Sequence, residues 1–562
     1  MRARFFLITL LVTFSSGPAR ADDLALPRGA ERASAKIGEA AMRTAIAELA
    51  SDAYEGRAPG SAGDAKARAW IEARAKALGL APGAADGSYQ QRFEMVGVTP
   101  QLPAEWKFEA AGGADAVTLK AGADFVAIGG KQSEHARLER SELVFVGYGI
   151  VAPEFDWNDY ENDVRGKTVL ILNNDPDWDP ALFAGKRRLY YGRWDYKYEE
   201  AARQGAAGAI LVHTDASAGY PWQVVRSSWT GEQFQLPDAG EPRVEVRSWA
   251  TEAKVREIVA LAGRDLAELV ESARRRDFTP IPLGVTTSLE IPTALRRIET
   301  GNVLAGLPGR AARLASELVV ITAHHDHLGV GEPDASGDAI YNGALDNASG
   351  VATVLSIAEA FAALPKPPRR GVLFAFVAAE EQGLLGSRYY AQHPTAPPGK
   401  LAANLNFDGA PIFGRTRDVE IVGRGKSSLE DLLALAAARQ GRVVVDEAFP
   451  DRGFYYRSDQ LSFARIGVPA LYFRSGIEVV GKPEGFGREQ EERWIATHYH
   501  QPSDELDASW DFSGAVENAQ LGFWVAAAAA EARALPTWRP GDEFEAKRTE
   551  ALRAASGGTH RE

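Results

Sequence analysis

The stretch LVVITAHHDHLG, at residues 318–329, joins an apolar run to a histidine-rich turn. Residues 318–323 are almost wholly apolar, which is typical of a buried strand. In open α/β sheets, sites form at the carboxyl ends of strands, so His324 is placed to point into one. Asp326, two residues further on, is placed to accept a hydrogen bond from a ligand imidazole and fix its tautomer. A histidine-rich turn alone is more often a surface loop than a metal site.

The sequence around this stretch alternates between strand-like and helix-like segments from about residue 300 onward. Such alternation is typical of an α/β sheet. The other predicted strands in this part are Gly371–Ala379, Leu401–Phe407 and Val468–Phe473. The predicted helices are Ser349–Leu364, Ser428–Gln440 and Ser513–Leu535.

Asp346 stands just before the predicted helix that begins at Ser349. The simplest interpretation is that Asp346, Asn347 or Ser349 caps that helix. A carboxylate at this place can also bridge two cations, because each of its oxygens can coordinate a different ion.

Glu380 and Glu381 follow the apolar strand that ends at Ala379. Adjacent glutamates at a strand exit usually mean only that the chain has reached water. They can also divide two tasks, because one carboxylate can bind a metal while the other accepts a proton from water.

Two further single residues complete the pattern, Asp408 after the strand that ends at Phe407 and His500 in a late loop. Each alone favours a structural role. Together, a histidine, an aspartate, paired glutamates, an aspartate and a histidine at successive strand ends or loops supply five ligands and a base. Zinc accepts this mixture of imidazole and carboxylate ligands.

On these motifs, the segment from about 300 to 510 resembles peptidase family M28, a family of zinc peptidases that includes aminopeptidases. The stretch SDAYEGRAPG, at residues 51–60, is similar to the start of the family's catalytic domain. Residues of roughly 110–290 resemble the protease-associated (PA) domain that some members carry as an insertion. The resemblance implies a three-layer α/β fold with a mixed central sheet flanked by helices, plus an inserted, mainly-β PA-type domain.

The resemblance also implies a set of ligands for two zinc ions, with other divalent metals as alternatives. His324 and Asp408 would bind one ion, Glu381 and His500 the other, and Asp346 would bridge the two.

Three further roles come from the same resemblance. Glu380 would be the general base, Asp326 would orient His324, and Tyr499 would stabilise the oxyanion. The family further implies a cis peptide bond between Asp346 and Asn347. His325, His327 and His498 receive no role and are interpreted as loop or outer residues.

The N-terminus predicts export. Arg2 and Arg4 precede an apolar run of about ten residues, and the small-x-small pattern at residues 19–21 resembles a signal cleavage site. The run is too short to cross a bilayer, and no later stretch predicts a membrane span. The chain has no cysteine, so neither disulfides nor a lipid-anchor cysteine is available. We expect a periplasmic or secreted protein.

Length and charge limit the partners. A chain of 562 residues predicts two or three domains. Its formal charge of −13 becomes −16 when residues 1–21 are removed, which argues against nucleic acid. The expected partners are peptides with a free N-terminus, and the sequence does not fix an oligomeric state.

The predicted division of the chain has five parts. These are a signal peptide (1–21), the first part of the peptidase domain (22–110), a PA-like insertion (111–290), the main peptidase part (291–540) and a flexible tail (541–562).

Three alternatives to an aminopeptidase remain. A carboxypeptidase or a glutaminyl cyclase-like enzyme would keep the fold, although a one-zinc cyclase would not need both His324 and Asp408. A metal-free receptor or binding protein would keep the fold without its metals, and all five ligand positions argue against it. A serine hydrolase is disfavoured because no Gly-x-Ser-x-Gly elbow leads from a strand to a helix.

Overall fold

A computed structural model describes residues 24–113 and 115–557 of the chain. The predicted signal peptide, residues 1–21, lies outside the described residues. No helix in residues 24–113 or 115–557 has the length and apolar content needed to cross a membrane.

The α-helices are distributed along the whole described chain. They are α1 (Ala30–Ser34), α2 (Glu39–Leu49), α3 (Ala62–Ala77), α4 (Trp194–Arg203), α5 (Asp215–Ala218), α6 (Trp222–Ser228), α7 (Glu252–Leu261), α8 (Leu266–Ser272), α9 (Ser349–Ala362), α10 (Leu385–Gln392), α11 (Leu429–Arg439), α12 (Gln460–Arg465), α13 (Phe486–Thr497), α14 (Ser513–Glu531) and α15 (Glu545–Gly557).

The strands form two large sheets and two short hairpins. They are β1 (Ala81–Pro82), β2 (Gln90–Pro100), β3 (Glu105–Ala110), β4 (Ala116–Lys120), β5 (Phe125–Gly129), β6 (His135–Phe145), β7 (Val151–Ala152), β8 (Trp157–Asn158), β9 (Thr168–Leu172), β10 (Gly208–His213), β11 (Gln233–Gln235), β12 (Val246–Thr251), β13 (Ile281–Leu307), β14 (Leu318–His324), β15 (Gly329–Val330), β16 (Ile340–Tyr341), β17 (Gly371–Val377), β18 (Leu401–Asn406), β19 (Asp418–Ile421), β20 (Val443–Asp446) and β21 (Ala470–Ser475).

The first sheet is mixed and has the strand order β11–β2–β13–β17–β14–β18–β21–β19–β20. Strands β17, β14, β18 and β21 run parallel to one another. Their carboxyl ends therefore meet at one edge of the sheet, where side chains from separate parts of the sequence come together.

Helices cover both faces of this sheet. In β17, Val372, Phe374 and Phe376 pack into the core that contains α2, α9, α11 and α14, whereas Leu373 and Ala375 face the core with α10 and α12. This alternation follows from the two-residue period of a strand, and it explains why the strand is apolar at every position. The mixed α/β fold with a central sheet flanked by helices, predicted from the sequence, is confirmed.

The second sheet has the order β4–β3–β13–β6–β9–β10–β12–β5. One face packs on a core confined to residues 126–249, and the other face contributes to a core shared with the first sheet and its helices. Aromatic side chains such as Trp106, Phe108 and Phe145 are fully buried in that core. Helices α4 to α8 belong to the same segment of the chain.

Strand β13 belongs to both sheets. Its first half, from Ile281 to Pro292, pairs with β6, and its second half, from Thr293, pairs with β2 and then β17. The predicted domain boundary between residues 290 and 291 therefore falls within a continuous strand. The polar, exposed residues near Arg296 and Arg297 interrupt the apolar pattern there, which is why the sequence suggests a break.

The flexible tail predicted for residues 541–562 is wrong for Glu545–Gly557, which form α15. Arg548 anchors this helix, because its buried guanidinium donates hydrogen bonds to the carbonyl oxygens of Pro398 and Leu401. The high proportion of charged residues in the segment is typical of an exposed tail, so the buried contact of Arg548 was not predicted. Residues 558–562 lie outside the described part.

Candidate metal centre

The strand order brings three of the predicted site segments to one edge of the first sheet. His324 ends β14, Glu380 and Glu381 follow β17, and Asp408 follows β18. Because β14 lies between β17 and β18 in parallel pairing, His324 stands between the two carboxylate-bearing segments. Asp346 and His500 reach the same place from the loops before α9 and after α13.

The carboxylate of Asp346 lies between two imidazoles. Its Oδ1 is 3.3 Å from Nε2 of His324, and its Oδ2 is 3.3 Å from Nε2 of His500. Each oxygen thus faces a different histidine, which is the arrangement that a carboxylate shared by two cations requires.

A further carboxylate completes each half of the site. Asp408 Oδ1 lies 3.3 Å from Nε2 of His324, and Glu381 Oε2 lies 3.2 Å from Nε2 of His500. Ligand atoms bound tetrahedrally to zinc at about 2.0–2.1 Å are separated by about 3.3 Å. The histidine–carboxylate distances in each half match this separation. In the first half, ligand atoms of His324, Asp346 and Asp408 also lie within 4.8 Å of one another, and in the second half those of His327, Asp346 and Glu381 do.

His500 offers an independent indication that these groups fit a metal. Its Nε2 atom is buried and makes no geometrically acceptable hydrogen bond to the described residues, although two carboxylates are near. A buried polar atom without a partner is costly, and a metal ion would satisfy it.

The local charge is strongly negative. Burial alone would lower the pKa of His500, but Glu381 and Asp346 outweigh it and raise that pKa to about 10. For Asp346 the directions are reversed. Burial alone would raise its pKa, but hydrogen bonds with His324 and His500 bring that pKa well below the usual value. The same carboxylates favour a divalent cation, which binds the imidazoles in their neutral forms.

Glu380 is placed beside this group of ligands. Burial raises the pKa of its carboxyl well above the usual value, with the negative charge of Glu381 adding to the effect. One oxygen each of Glu380 and Glu381 and one nitrogen of His324 all lie within 4.8 Å of one another. Such a carboxylate can exchange a proton with a water molecule held at the site.

Asp326 contacts both the histidine and the glutamate segments. The nearer acceptor for Nδ1 of His324 is the main-chain carbonyl oxygen of Asp326, at 3.2 Å, whereas its carboxylate lies at 3.7 Å. That carboxylate accepts hydrogen bonds from the peptide N–H groups of Glu380, at 3.1 Å, and Glu381, at 3.3 Å. Asp326 therefore holds two ligand-bearing loops together.

Tyr499 lies at the rim of the site. Its ring stacks on the imidazole of His500 with centroids 3.9 Å apart, and 41% of the residue is exposed. Despite that exposure, the hydroxyl group is buried, and its burial together with the negative charge of Asp346 raises the pKa of Tyr499 well above the usual value.

The loop that carries Asp346 has the predicted cis peptide bond between Asp346 and Asn347. The Asn347 side chain accepts hydrogen bonds from the peptide N–H groups of Gly350 and Gly409, both at 2.9 Å. These bonds connect the loop to the chain beside Asp408.

Two residues that the sequence left without a role also contact the site. Nδ1 of His327, which is fully buried, lies 2.7 Å from Oε1 of Glu381 and so fixes the second ligand carboxylate. The carboxylate of Asp504 accepts hydrogen bonds from the peptide N–H groups of Leu345, at 2.8 Å, and Asp346, at 3.0 Å. The sequence gives no periodicity in these turns from which the contacts could be predicted.

The remaining histidines of the two clusters lie further out. Nε2 of His325 is 3.1 Å from the carboxylate of Asp64, on α3, and His498 stacks on Trp494 with centroids 4.2 Å apart. Neither lies in a group of ligand atoms with metal-binding spacing among the described residues.

Comparisons with known proteins identify the segment that holds this site. Residues 302–523 match the sequence model of peptidase family M28. Leucine aminopeptidase 2 of Trichophyton equinum is 28% identical over 232 residues, which are 40% of this chain and 41% of that protein. A probable lipoprotein aminopeptidase of Mycobacterium tuberculosis is 28% identical over 243 residues, which are 39% of this chain and 44% of that protein. The chain thus spans less than half the length of these curated relatives.

The solved structure of an aminopeptidase from Aneurinibacillus sp. strain AM-1 is similar over 91% of this chain and 97% of its own. The sequence identity is 21% and the TM-score is 0.49.

Proposed function

We propose that residues 302–523, which match the sequence model of peptidase family M28, form the catalytic domain of an exported zinc-dependent aminopeptidase. One observation carries the proposal. The two oxygens of Asp346 face two different imidazoles, and each half has a further carboxylate at a spacing that fits a zinc ligand set. The curated relatives, which are named as aminopeptidases, support the reaction type.

The proposed ligand set for a pair of zinc ions follows the two halves of the site. His324 and Asp408 would hold one ion, Glu381 and His500 the other, and Asp346 would be shared. When bound, zinc lowers the pKa of water and polarises a peptide carbonyl.

Glu380 would then act as the general base. Its carboxylate would accept a proton from the attacking water and donate it to the leaving amine. Tyr499, at the rim, would donate a hydrogen bond to the developing oxyanion. Asp326 would hold His324 and the two glutamates in position through the hydrogen bonds described above.

We also propose that the second sheet is the PA-type insertion and that residues 1–21 direct export. A core confined to residues 126–249, on one face of that sheet, supports the first statement. The basic, apolar and small-residue order of the N-terminal sequence supports the second.

The experiment that tests the function combines zinc quantitation with a substrate panel. The purified protein is expected to bind zinc and to cleave aminoacyl substrates that have a free α-amine, and N-blocked analogues should not be cleaved. Cleavage only at a free C-terminus would favour a carboxypeptidase, and cyclisation of N-terminal glutamine would favour a cyclase. A protein that binds no divalent metal and cleaves none of these substrates would support a receptor or binding protein.

A further inference from the structure

Arg57 lies far from the ligands in sequence but directly behind them in space. It ends a short 3₁₀ segment, Asp52–Arg57, in the turn between α2 and α3, and only 1% of its surface is exposed. The preceding residue, Gly56, has a positive φ of 63°, and a side chain there would collide with the carbonyl oxygens of Gly329 and Tyr341. The turn therefore packs closely between the loop after His327 and the loop before Asp346.

The guanidinium of Arg57 binds the backbone of both ligand-bearing loops. Nε donates to the carbonyl oxygen of His325, at 2.9 Å. Nη1 donates to the carbonyl oxygens of Asn342 and Leu49, both at 2.6 Å, and Nη2 donates to that of Gly343, at 2.9 Å. One side chain therefore fixes the backbone beside His324, the backbone before Asp346, and the end of α2.

Only a guanidinium suits this arrangement. Its donors radiate in one plane in a fixed geometry, whereas a lysine ammonium is a point charge with three donors. Four separate carbonyl oxygens around one buried side chain therefore require arginine.

The charge of Arg57 also suits the site. Burial lowers its pKa to about 10, but the negative charges of Asp504, Asp326 and Asp346 oppose that shift, so the group is protonated at neutral pH. The four hydrogen bonds that its guanidinium donates all go to main-chain carbonyl oxygens and none to a carboxylate. The cation thus offsets the ligand carboxylates from behind and leaves their oxygens directed at the site.

We propose that Arg57 is a positioning residue for the metal pair, because it sets the separation between the loop of His324 and the loop of Asp346. The inference rests on the proposed zinc-dependent function. It extends the site to a part of the chain outside residues 302–523, which match the family model.

The test compares Arg57→Met and Arg57→Lys with a matched control, Arg370→Met. Arg370 is equally buried and also donates to backbone carbonyl oxygens, those of Ala529 and Ala532 near the end of α14, but it lies away from the ligand loops. Zinc affinity is measured by competition with a chelator. The visible absorption of the cobalt-substituted protein reports ligand geometry, and thermal unfolding reports stability.

Arg57→Met is expected to weaken zinc binding by about ten- to a hundredfold and to alter the cobalt spectrum, the usual scale for losing an outer partner of a metal site. Arg57→Lys should give a smaller loss in the same direction. Arg370→Met should lower the melting temperature but leave zinc affinity and the cobalt spectrum unchanged.

A wild-type zinc affinity and spectrum in folded Arg57→Met would overturn the inference, as would an equal loss of affinity in Arg370→Met. If Arg57→Met does not fold, Arg57→Lys decides, and zinc affinity within twofold of wild type in that variant would overturn the inference. Absence of zinc binding by the wild-type protein would instead contradict the proposed function itself.

Discussion

At the scale of single residues, the candidate site is a group of largely buried carboxylates with an excess of negative charge. Two imidazoles stand between three carboxylates, with Glu380 adjacent and the guanidinium of Arg57 behind them. Such a concentration of buried charge is costly without metal or compensating partners. Each side chain can therefore be assigned a distinct task, and each task can be removed separately.

Replacing Glu380 by glutamine removes the proposed base and leaves the five proposed ligands intact. Turnover of a free-amine aminoacyl substrate should fall by about a hundredfold or more, because positioned proton transfer contributes about 10²–10⁴-fold. Zinc content should match that of the wild-type protein. Glu139→Gln, at an exposed position in the second sheet, is the control and should keep full turnover. Near-normal turnover in Glu380→Gln would contradict the assignment.

Zinc affinity should rise with pH throughout the range below about pH 10. The carboxylates raise the pKa of His500 to about 10 in the metal-free protein, so zinc must displace a proton from this ligand at any lower pH. The affinity should increase by up to about tenfold per pH unit for each displaced proton. Competition titrations with a chelator of known pKa values measure it. An affinity that does not change with pH in this window would exclude His500 as a proton-linked ligand.

The convergence of the proposed ligands was predictable, because chemistry and topology agree on their positions. His324, the two glutamates and Asp408 each follow an apolar run, and parallel strands bring such positions to one edge. The contacts of His327, Asp504 and Arg57 were not predictable. They depend on the paths of loops, which carry no periodicity, and Arg57 is separated from its carbonyl partners by up to 286 residues in sequence.

At the scale of elements, the site depends on the stiffness of the three strands that support it. Strands β17, β14 and β18 are buried on both faces, and helices pack on either side. Their existence was evident from continuous apolar runs, and the predicted bounds agree with the structure to within a few residues. Helix α13 was not predicted from the sequence. It is rich in charged residues and Gly487 is its only buried residue, so it shows no apolar periodicity.

Phe374→Ala tests how much the central strand contributes to stability. The Phe374 ring is fully buried in the middle of β17 and packs edge-on against Phe361, with centroids 5.9 Å apart. The substitution should lower the free energy of unfolding by about 3–5 kcal/mol, since it removes buried area and leaves a cavity. Urea unfolding at a fixed zinc concentration measures this change. Val330→Ala, at a residue that is 62% exposed, is the control and should change it by less than about 0.5 kcal/mol. Equal effects of the two substitutions would contradict the packing described for β17.

At the scale of the whole molecule, the two sheets are physically joined. Strand β13 runs through both, and the Glu199 carboxylate on α4 pairs with Arg465 on α12 at 2.9 Å. The sequence predicts a division of the chain at residues 110 and 290, but β3, Glu105–Ala110, already pairs within the second sheet. The continuity of β13 was not predicted, because its exposed middle resembles a linker.

Thermal unfolding should therefore show one cooperative transition rather than two. Strand β13 connects the two sheets, and side chains from both parts share one buried core, so the sheets should unfold together. Differential scanning calorimetry of the zinc-loaded protein measures this. Removal of zinc with a chelator should lower the melting temperature, because a ligand that binds only the folded state stabilises it. Two well-separated transitions would show that the sheets are independent units.

The most direct test of the central claim is a crystal structure of the zinc-loaded protein with anomalous diffraction data at the zinc edge. The account predicts two anomalous peaks on either side of the Asp346 carboxylate. One should lie about 2.0–2.2 Å from ligand atoms of His324 and Asp408, and the other at the same distance from ligand atoms of Glu381 and His500. A single peak, or peaks that do not share Asp346, would contradict it.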